Sequence, residues 1–439
     1  MAARGSRLRR PGPHRAGAAG LLVSRRFGPL FATQFLSAFN DNALKNALVL
    51  MIAYRPAGPG DWPAGVLIPL AGGLFILPFF LCSATAGRLA DMLDKAFLIR
   101  LIKLCEIGVM LLAAAAVLIG HAGWLLFLLF AMGVEAAFFG PLKYAILPDL
   151  LAPTELLLGN ALVEAGTFLA ILLGTIAGML IAGAHGRVSV ALLIVAVALA
   201  AWGASRLIRA TPPAAAREKV DWNLLRATAQ LIAAAARTRT TFRAMLGISW
   251  FWLAGAVYLS QFPSYARFVL GAEEAVVTLF LAVFSVGIGA GSLLCNRILK
   301  GRVSAATVPW GGLGMAVFSI DLWLASPAPA DPGAALVPLA GFLATPAGWR
   351  VVADLFGIAL AGGVYIVPLY ALLQTASDER VRARTIAANN VVNAAAMVAA
   401  AAATIALVAA GVDVPGLFLL TGLATLAVAA WYFSIRGER

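Results

Sequence analysis

The stretch QFLSAFNDNALKNALVL (Gln34 to Leu50) sets an acid, a base and three asparagines inside an apolar run long enough to cross a bilayer. On a helix, Gln34, Ser37, Asp41 and Lys45 fall within about 80° of arc. Asp41 and Lys45 stand four apart with the acid first, a spacing that suits an ion pair. A charge at mid-membrane costs about 3 kcal/mol, and pairing lowers that cost without removing it. Such residues therefore face a bundle interior or a wet cavity and are functional candidates. The bland alternative is a structural ion pair that locks this helix to a neighbour. Asp41 could instead titrate, and so couple to protons, or bind sodium.

Other apolar runs carry comparable groups. Glu135 and Lys143 lie eight apart in the fourth run, and Asn160, Glu164 and Thr167 form one stripe in the fifth. Lys103 and Glu106 sit near one end of the third, where a snorkelling side chain and an i, i+3 pair would explain them. The second half offers mainly neutral groups: Tyr258, Gln261, Tyr365, Asn389, Asn390 and Asn393, with Asp321 isolated. A purely anionic substrate needs cations without nearby acids, whereas a zwitterion needs both signs. A phosphate could meet Lys45 or Lys143, and an ammonium could meet Asp41, Glu135 or Glu164. The phenylalanine patches LPFFL (Leu77 to Leu81) and AAFFG (Ala136 to Gly140) could host an acyl tail.

The elements that must position these groups follow from composition. The 439 residues are 62% hydrophobic and 12% charged, about half the charge of a soluble chain. Continuous apolar runs recur from Phe27 to Ile435, and in lipid only helices or closed barrels satisfy the backbone. Runs without alternation exclude a barrel. The expected fold is an all-α membrane protein of about twelve transmembrane helices in two pseudo-symmetric six-helix halves. Residues 1–26 form a basic tail, 27–209 the first half, 210–243 a linker and 244–439 the second half. The linker is expected to hold an amphipathic helix near Trp222 to Ala236 at the membrane surface, and the first two dozen residues are expected to be disordered. Internal similarity supports the halves. PLKYAIL (Pro141 to Leu147) closes the fourth run and PLYALL (Pro368 to Leu373) the tenth. Asn160 and Glu164 are matched by Asn389 and Asn393, each shifted by the same interval.

The net charge of +13 is distributed as arginine clusters on one side of the expected membrane, seven of them before the first span. That bias places both termini in the cytoplasm and removes the case for nucleic acid. Arg25 and Arg26 read as two more such arginines rather than an export signal. Cys82, Cys105 and Cys295 are single and spaced for neither a disulfide nor a metal site. The three histidines have no Asp five positions on, and no GxSxG or GxxxxGK[ST] element occurs, so acyltransferase, hydrolase and ATP-pump chemistry is not expected.

GRLADMLDKAFLIR (Gly87 to Arg100) resembles the loop motif of the major facilitator superfamily, with Gly87, Asp91, Lys95 and Arg100 at or near its positions. The counterpart GSLLCNRILKGR (Gly291 to Arg302) lacks the aspartate. QFLSAFNDNALKNAL, FFGPLKYAILPDL and GNALVEAGTFLAILLGTIAG together resemble the bacterial lysophospholipid transporter family, a branch that occurs alone or fused to acyltransferase and acyl-carrier-protein synthetase domains. The resemblance covers most of the chain from Phe27 onward. It implies a secondary transporter that flips lysophospholipid, chiefly lysophosphatidylethanolamine, toward the cytoplasmic leaflet of the bacterial inner membrane. A cytoplasmic acyltransferase would then reacylate it. It implies no cofactor, with sodium or proton coupling open. Asp41 matches the family's span-one acid and Lys143 the lysine of its span-four motif. The region holding Leu259, Ser260 and Gln261 departs from the stand-alone members, which carry a basic residue there. The residues expected to line the substrate path are Gln34, Asp41, Lys45, Glu135, Lys143, Asn160, Glu164, Asn389 and Asn393. Rival readings are a transporter of another amphipathic solute and a non-transporting scaffold for an acyltransferase.

Overall fold

A computed structural model describes residues 17–53, 64–119, 122–184, 186–216, 223–328, 330–331 and 335–436. The tail up to Arg15, Arg55, His121, His185, Trp222 and part of the Ser326 to Gly333 loop lie outside them. The described residues form α-helices and short helical turns, with one isolated bridge between Ala272 and Val337. Eleven helices are long and apolar enough to cross a membrane. With Gly28–Ala53, of similar length but diluted by its amides and charges, they make twelve.

We number them α1 (Gly28–Ala53), α2 (Ala64–Met92), α3 (Lys95–Ile119), α4 (Ala122–Ala145), α5 (Leu156–Ala184), α6 (Gly186–Ser205), α7 (Arg239–Ser264), α8 (Glu274–Leu299), α9 (Val308–Ala325), α10 (Pro346–Ala376), α11 (Arg382–Ala409) and α12 (Val414–Arg436). Local chemistry sets their ends. Thr345 caps α10 by accepting from Gly348 N at 3.0 Å, with Pro346 in the first turn, where no N–H is needed. Glycines set the closest crossing in the first half. Gly174 and Gly178, four apart on α5, lie directly against the backbone of Phe39 and Ala43 on α1, where any Cβ would collide.

The two sets of six helices meet along two seams, α2 with α11 and α5 with α8. Twelve crossings bring the start of α1 and the end of α12 to the same end of the bundle, called here the terminal end.

Two expectations are corrected. Residues 17–26 are ordered rather than disordered: Ala18–Leu22 is a helical turn, Leu21 is fully buried, and Arg26 pairs with Glu155 at 2.5 Å. The apolar pair Leu21 and Leu22 gives this segment a face to bury, which the arginine content concealed. The linker helix, Leu224–Ala235, packs against both α2 and α11 instead of lying only at the membrane surface. Its stripe of Ala227, Leu231 and Ala235 is buried, and Thr228 Oγ1 donates to Phe80 O at 3.1 Å. Phe80 lies twelve residues before the end of α2, so the helix leans into the seam. Small alanines at i and i+8, either side of Leu231, allow that close approach.

Candidate functional site

Between the halves lies a cavity of about 250 Å³. Gln34, Ser37 and Asp41 of α1 and Glu135 and Lys143 of α4 supply its polar wall. Trp252 of α7, Tyr370 of α10 and Asn390 and Asn393 of α11 face them from the other half. Phe75 and Phe79 of α2 and Phe139 of α4 give it an apolar side, so one part of each phenylalanine patch reaches it.

Two charges meet at this space without a hydrogen-bond or salt-bridge partner among the described residues, and Lys143 feels the attraction of both Glu164 and Asp41. The Lys143 ammonium makes neither a hydrogen bond nor a salt bridge with a described residue, and stands 4.9 Å from the Tyr144 ring. Asp41 has a buried Oδ1 without a hydrogen-bond partner. The amide of Gln34, 1% exposed, accepts from Thr167 Oγ1 at 3.0 Å and keeps a buried, unused Nε2 donor.

Behind this wall lies a charge cluster that sequence reasoning placed wrongly. Lys103 and Glu106 do not snorkel; they are 0% and 1% exposed. Lys103 Nζ donates to Ser37 Oγ (2.5 Å), Glu106 Oε2 (2.8 Å) and Glu135 Oε1 (2.5 Å), and lies 4.0 Å from the centre of the Phe139 ring. Asn40 Nδ2 adds a contact to Glu106 at 3.4 Å and one to Ile194 O at 3.1 Å. Three helices are thereby joined by satisfied charges, the condition under which buried ions are tolerated. The legible signal was a Lys and a Glu one turn apart on α3 with a second Glu available on α4.

The terminal end of the cavity is closed in layers. Tyr144 and Tyr370, from the matching ends of α4 and α10, stack with centroids 4.2 Å apart and planes 6° from parallel. Tyr144 OH donates to Glu164 Oε1, and Tyr370 OH accepts from Trp252 Nε1 at 3.1 Å and also meets Asn393. Below them Gln374 and Asn160 exchange two amide bonds across the halves, at 2.7 and 3.0 Å, and Gln374 Nε2 reaches Tyr144 O at 3.1 Å. Outermost is Asp91, fully buried, which accepts from Ala383 N (2.9 Å), Arg384 N (3.2 Å) and Arg384 Nε (3.1 Å) at the start of α11. A carboxylate on the first N–H groups of a helix neutralises its positive end. Gly87 makes this possible: a Cβ there would lie 2.9 Å from Arg384 Cα. Asp149 bridges Lys95 (2.9 Å) to Arg382 (3.6 Å) beside it.

The expected site residues are thus separated by place. Gln34, Asp41, Glu135, Lys143 and Asn393 line the cavity. Lys45 does not: it stands a turn beyond Asp41, which it still attracts, but no salt bridge joins the two among the described residues. Asn160 and Glu164 belong to the closure. Asn389 is fully buried with both amide atoms unpartnered, and Asn390, a 100° step round the helix, faces the cavity in its place. Arg100 donates to Ile208 O at 2.5 Å within its own half, so it does not bridge the seam. Asp321, read as isolated, pairs bidentately with Arg350 at 2.6 and 3.1 Å. No group of three His, Cys, Asp or Glu among the described residues is placed to hold a metal ion.

Twelve helices in two sets of six, meeting round a polar cavity, define the class of secondary transporters whose halves move about a central site. The model of the Major Facilitator Superfamily matches residues 30–401. A relative from Escherichia coli O1:K1 / APEC named lysophospholipid transporter LplT is 31% identical over 374 residues, 82% of this chain and 83% of that one. Its counterpart from Escherichia coli O7:K1 (strain IAI39 / ExPEC) matches to the same extent. Among solved structures, the Escherichia coli fucose:proton symporter FucP superposes with a TM-score of 0.68 at 14% identity, covering 93% of this chain and 98% of that one. The human organic anion transporter MFSD10 gives 0.69 at 15%, with the same coverage. The chain belongs to the Major Facilitator Superfamily and, within it, to the lysophospholipid transporter family. It is a multi-pass membrane protein of a family of transporters, not of enzymes.

Proposed function

We propose that this protein flips lysophospholipids, chiefly lysophosphatidylethanolamine, across the bacterial inner membrane toward the leaflet at its terminal end. The reading is carried by one observation: an unpaired cation, Lys143, and an unpaired carboxylate, Asp41, face one cavity with an apolar side. A phosphate satisfies the first and an ammonium the second. The phenylalanines at Phe75, Phe79 and Phe139 accept the start of a single acyl chain. Glu135, held by Lys103, positions the wall rather than binding the head group.

The lysine- and arginine-rich loops assign the terminal end to the cytoplasm, with both chain ends there. With the terminal end closed in this conformation, we read the substrate as entering from the opposite side and leaving past the Tyr144–Tyr370 stack once the Asp91 and Gln374 contacts part. Asp41 is the group we assign to a coupling cation, proton or sodium. A cytoplasmic acyltransferase or acyl-carrier-protein synthetase consumes the delivered lipid. Transport of fluorescent lysophosphatidylethanolamine into proteoliposomes, under imposed sodium or proton gradients, tests this. The expected result is uptake that one of the two gradients accelerates. No movement of the lipid under either gradient refutes the assignment and turns the search to other amphipathic solutes.

A further inference from the structure

The two seams between the halves differ at the terminal end. In the α2/α11 seam the chain supplies its own anion: Asp91 sits on the first N–H groups of α11 and on Arg384. The related segment in the second half, GSLLCNRILKGR, has no carboxylate, and its seam holds a larger cavity, about 530 Å³. Asn296, Arg297 and Lys300 at the end of α8 line one side of it. Thr154 and Glu155, before α5, line the other, and Leu158 and Leu293 form apolar walls along the two helices.

The charge balance of this cavity is positive. Its one acid, Glu155, is already engaged by Arg26 at 2.5 Å and by Ala152 N at 3.1 Å. Arg297 and Lys300 have no acidic partner among the described residues. Asn296 adds a buried side-chain oxygen without a partner, an acceptor that a head-group hydroxyl beside the phosphate would satisfy. Lys300 is held at φ 51°, the one non-glycine residue with a positive φ among the described residues, followed by Gly301 at 72°. That left-handed turn is one that lysine rarely adopts, and it ends α8 with Lys300 lining the cavity. Gly301 fits there because a side chain would press on Thr154 O at 2.9 Å.

We propose that this cavity binds the phosphate of an anionic membrane phospholipid, with an acyl chain lying between Leu158 and Leu293. The bound phosphate does in the α5/α8 seam what Asp91 does in the α2/α11 seam: it joins the two halves at the terminal end. The site is distinct from the central cavity, and its occupant is a resident lipid, not the transported one.

The test uses the full chain in mixed micelles. Phosphatidylglycerol retention by native mass spectrometry is compared for the native protein and for Arg297→Gln, Lys300→Gly and the double variant. Lys300→Gly relaxes the left-handed turn, so lost binding cannot be laid to misfolding, and melting temperature checks the others. The expected loss is about fivefold for each cation and roughly 25-fold for both. Phosphatidylcholine and inorganic phosphate should give little retention and no thermal shift. Equal retention in the double variant overturns the proposal, as does inorganic phosphate that matches the lipid. Transport of labelled lysolipid in vesicles free of anionic lipid is read in parallel. It should be unchanged in the double variant, so a failure of this site is separable from a failure of the transport assignment.

Discussion

Lys103→Met is the substitution whose cost the structure defines best. The native ammonium is 0% exposed and makes three hydrogen bonds, two of them to carboxylates. Methionine keeps the packing on Phe139 and removes the charge. Glu106 is then left with the Asn40 amide at 3.4 Å, and Glu135 loses its salt bridge. Removing one partner of a buried ion pair costs about 3–5 kcal/mol. Two carboxylates facing one another put the loss at the upper end. A net stability of about 5–15 kcal/mol leaves little margin for that. The assay is thermal unfolding of the purified protein in detergent, together with yield from membranes. Lys103→Met should melt far below the native protein or fail to accumulate. The triple variant Lys103→Met, Glu106→Gln, Glu135→Gln should recover most of the loss, since no charge remains uncompensated. A Lys103→Met protein as stable as the native one would refute the role of Lys103 as a buried counter-ion. A triple variant no better than the single one would place the cost in packing.

Three further outcomes follow from the closure. Asp91→Asn removes a charge that accepts three hydrogen bonds, each worth about 1.5–3 kcal/mol. Spin labels on the starts of α3 and α11 should report a population with that end open, and an unchanged distance distribution would count against the latch. Gln374→Leu, which breaks the amide exchange with Asn160, should shift the same distribution less, by about 1–2 kcal/mol. A cysteine pair at Phe80 and Thr228, tying the linker helix to α2, should arrest transport until reduced. Full activity in the cross-linked protein would show that this seam need not part.

Much of this site was legible because of its internal repeat. PLKYAIL and PLYALL mark the ends of α4 and α10, and their tyrosines stack on each other at the closure. The Asn160/Glu164 and Asn389/Asn393 pairs likewise fall at matching places, with Glu164 on Tyr144 and Asn393 on Tyr370. Spacing alone could not tell which members had partners. Gln374, one residue beyond the quoted repeat, satisfies Asn160, whereas the matching stretch runs past the end of α4 into Leu147 and Pro148, and Asn389 is left unpartnered. The Asp41–Lys45 pair had ideal spacing, yet the two attract without closing to a salt bridge among the described residues, because contacts from other helices decide where α1 turns its polar face. Lys103 and Glu106 were misplaced for the same reason: a position near a helix end reads as exposed until α1, α4 and α6 close over it. The twelve helices were plain because a bilayer leaves an apolar chain few alternatives. The linker helix was expected as an amphipathic segment near Trp222 to Ala236, and its position in the seam needed both halves in place.

The most direct measurement is the rate at which fluorescent lysophosphatidylethanolamine is flipped in proteoliposomes by the native protein, Lys143→Ala and Asp41→Asn, at equal reconstitution. Each variant removes a charge that nothing else in the cavity replaces. Loss of a charge-assisted contact of about 1.5–3 kcal/mol should slow transport roughly 10- to 150-fold without altering the melting temperature. Native rates in both variants would contradict the claim that these two charges read the head group.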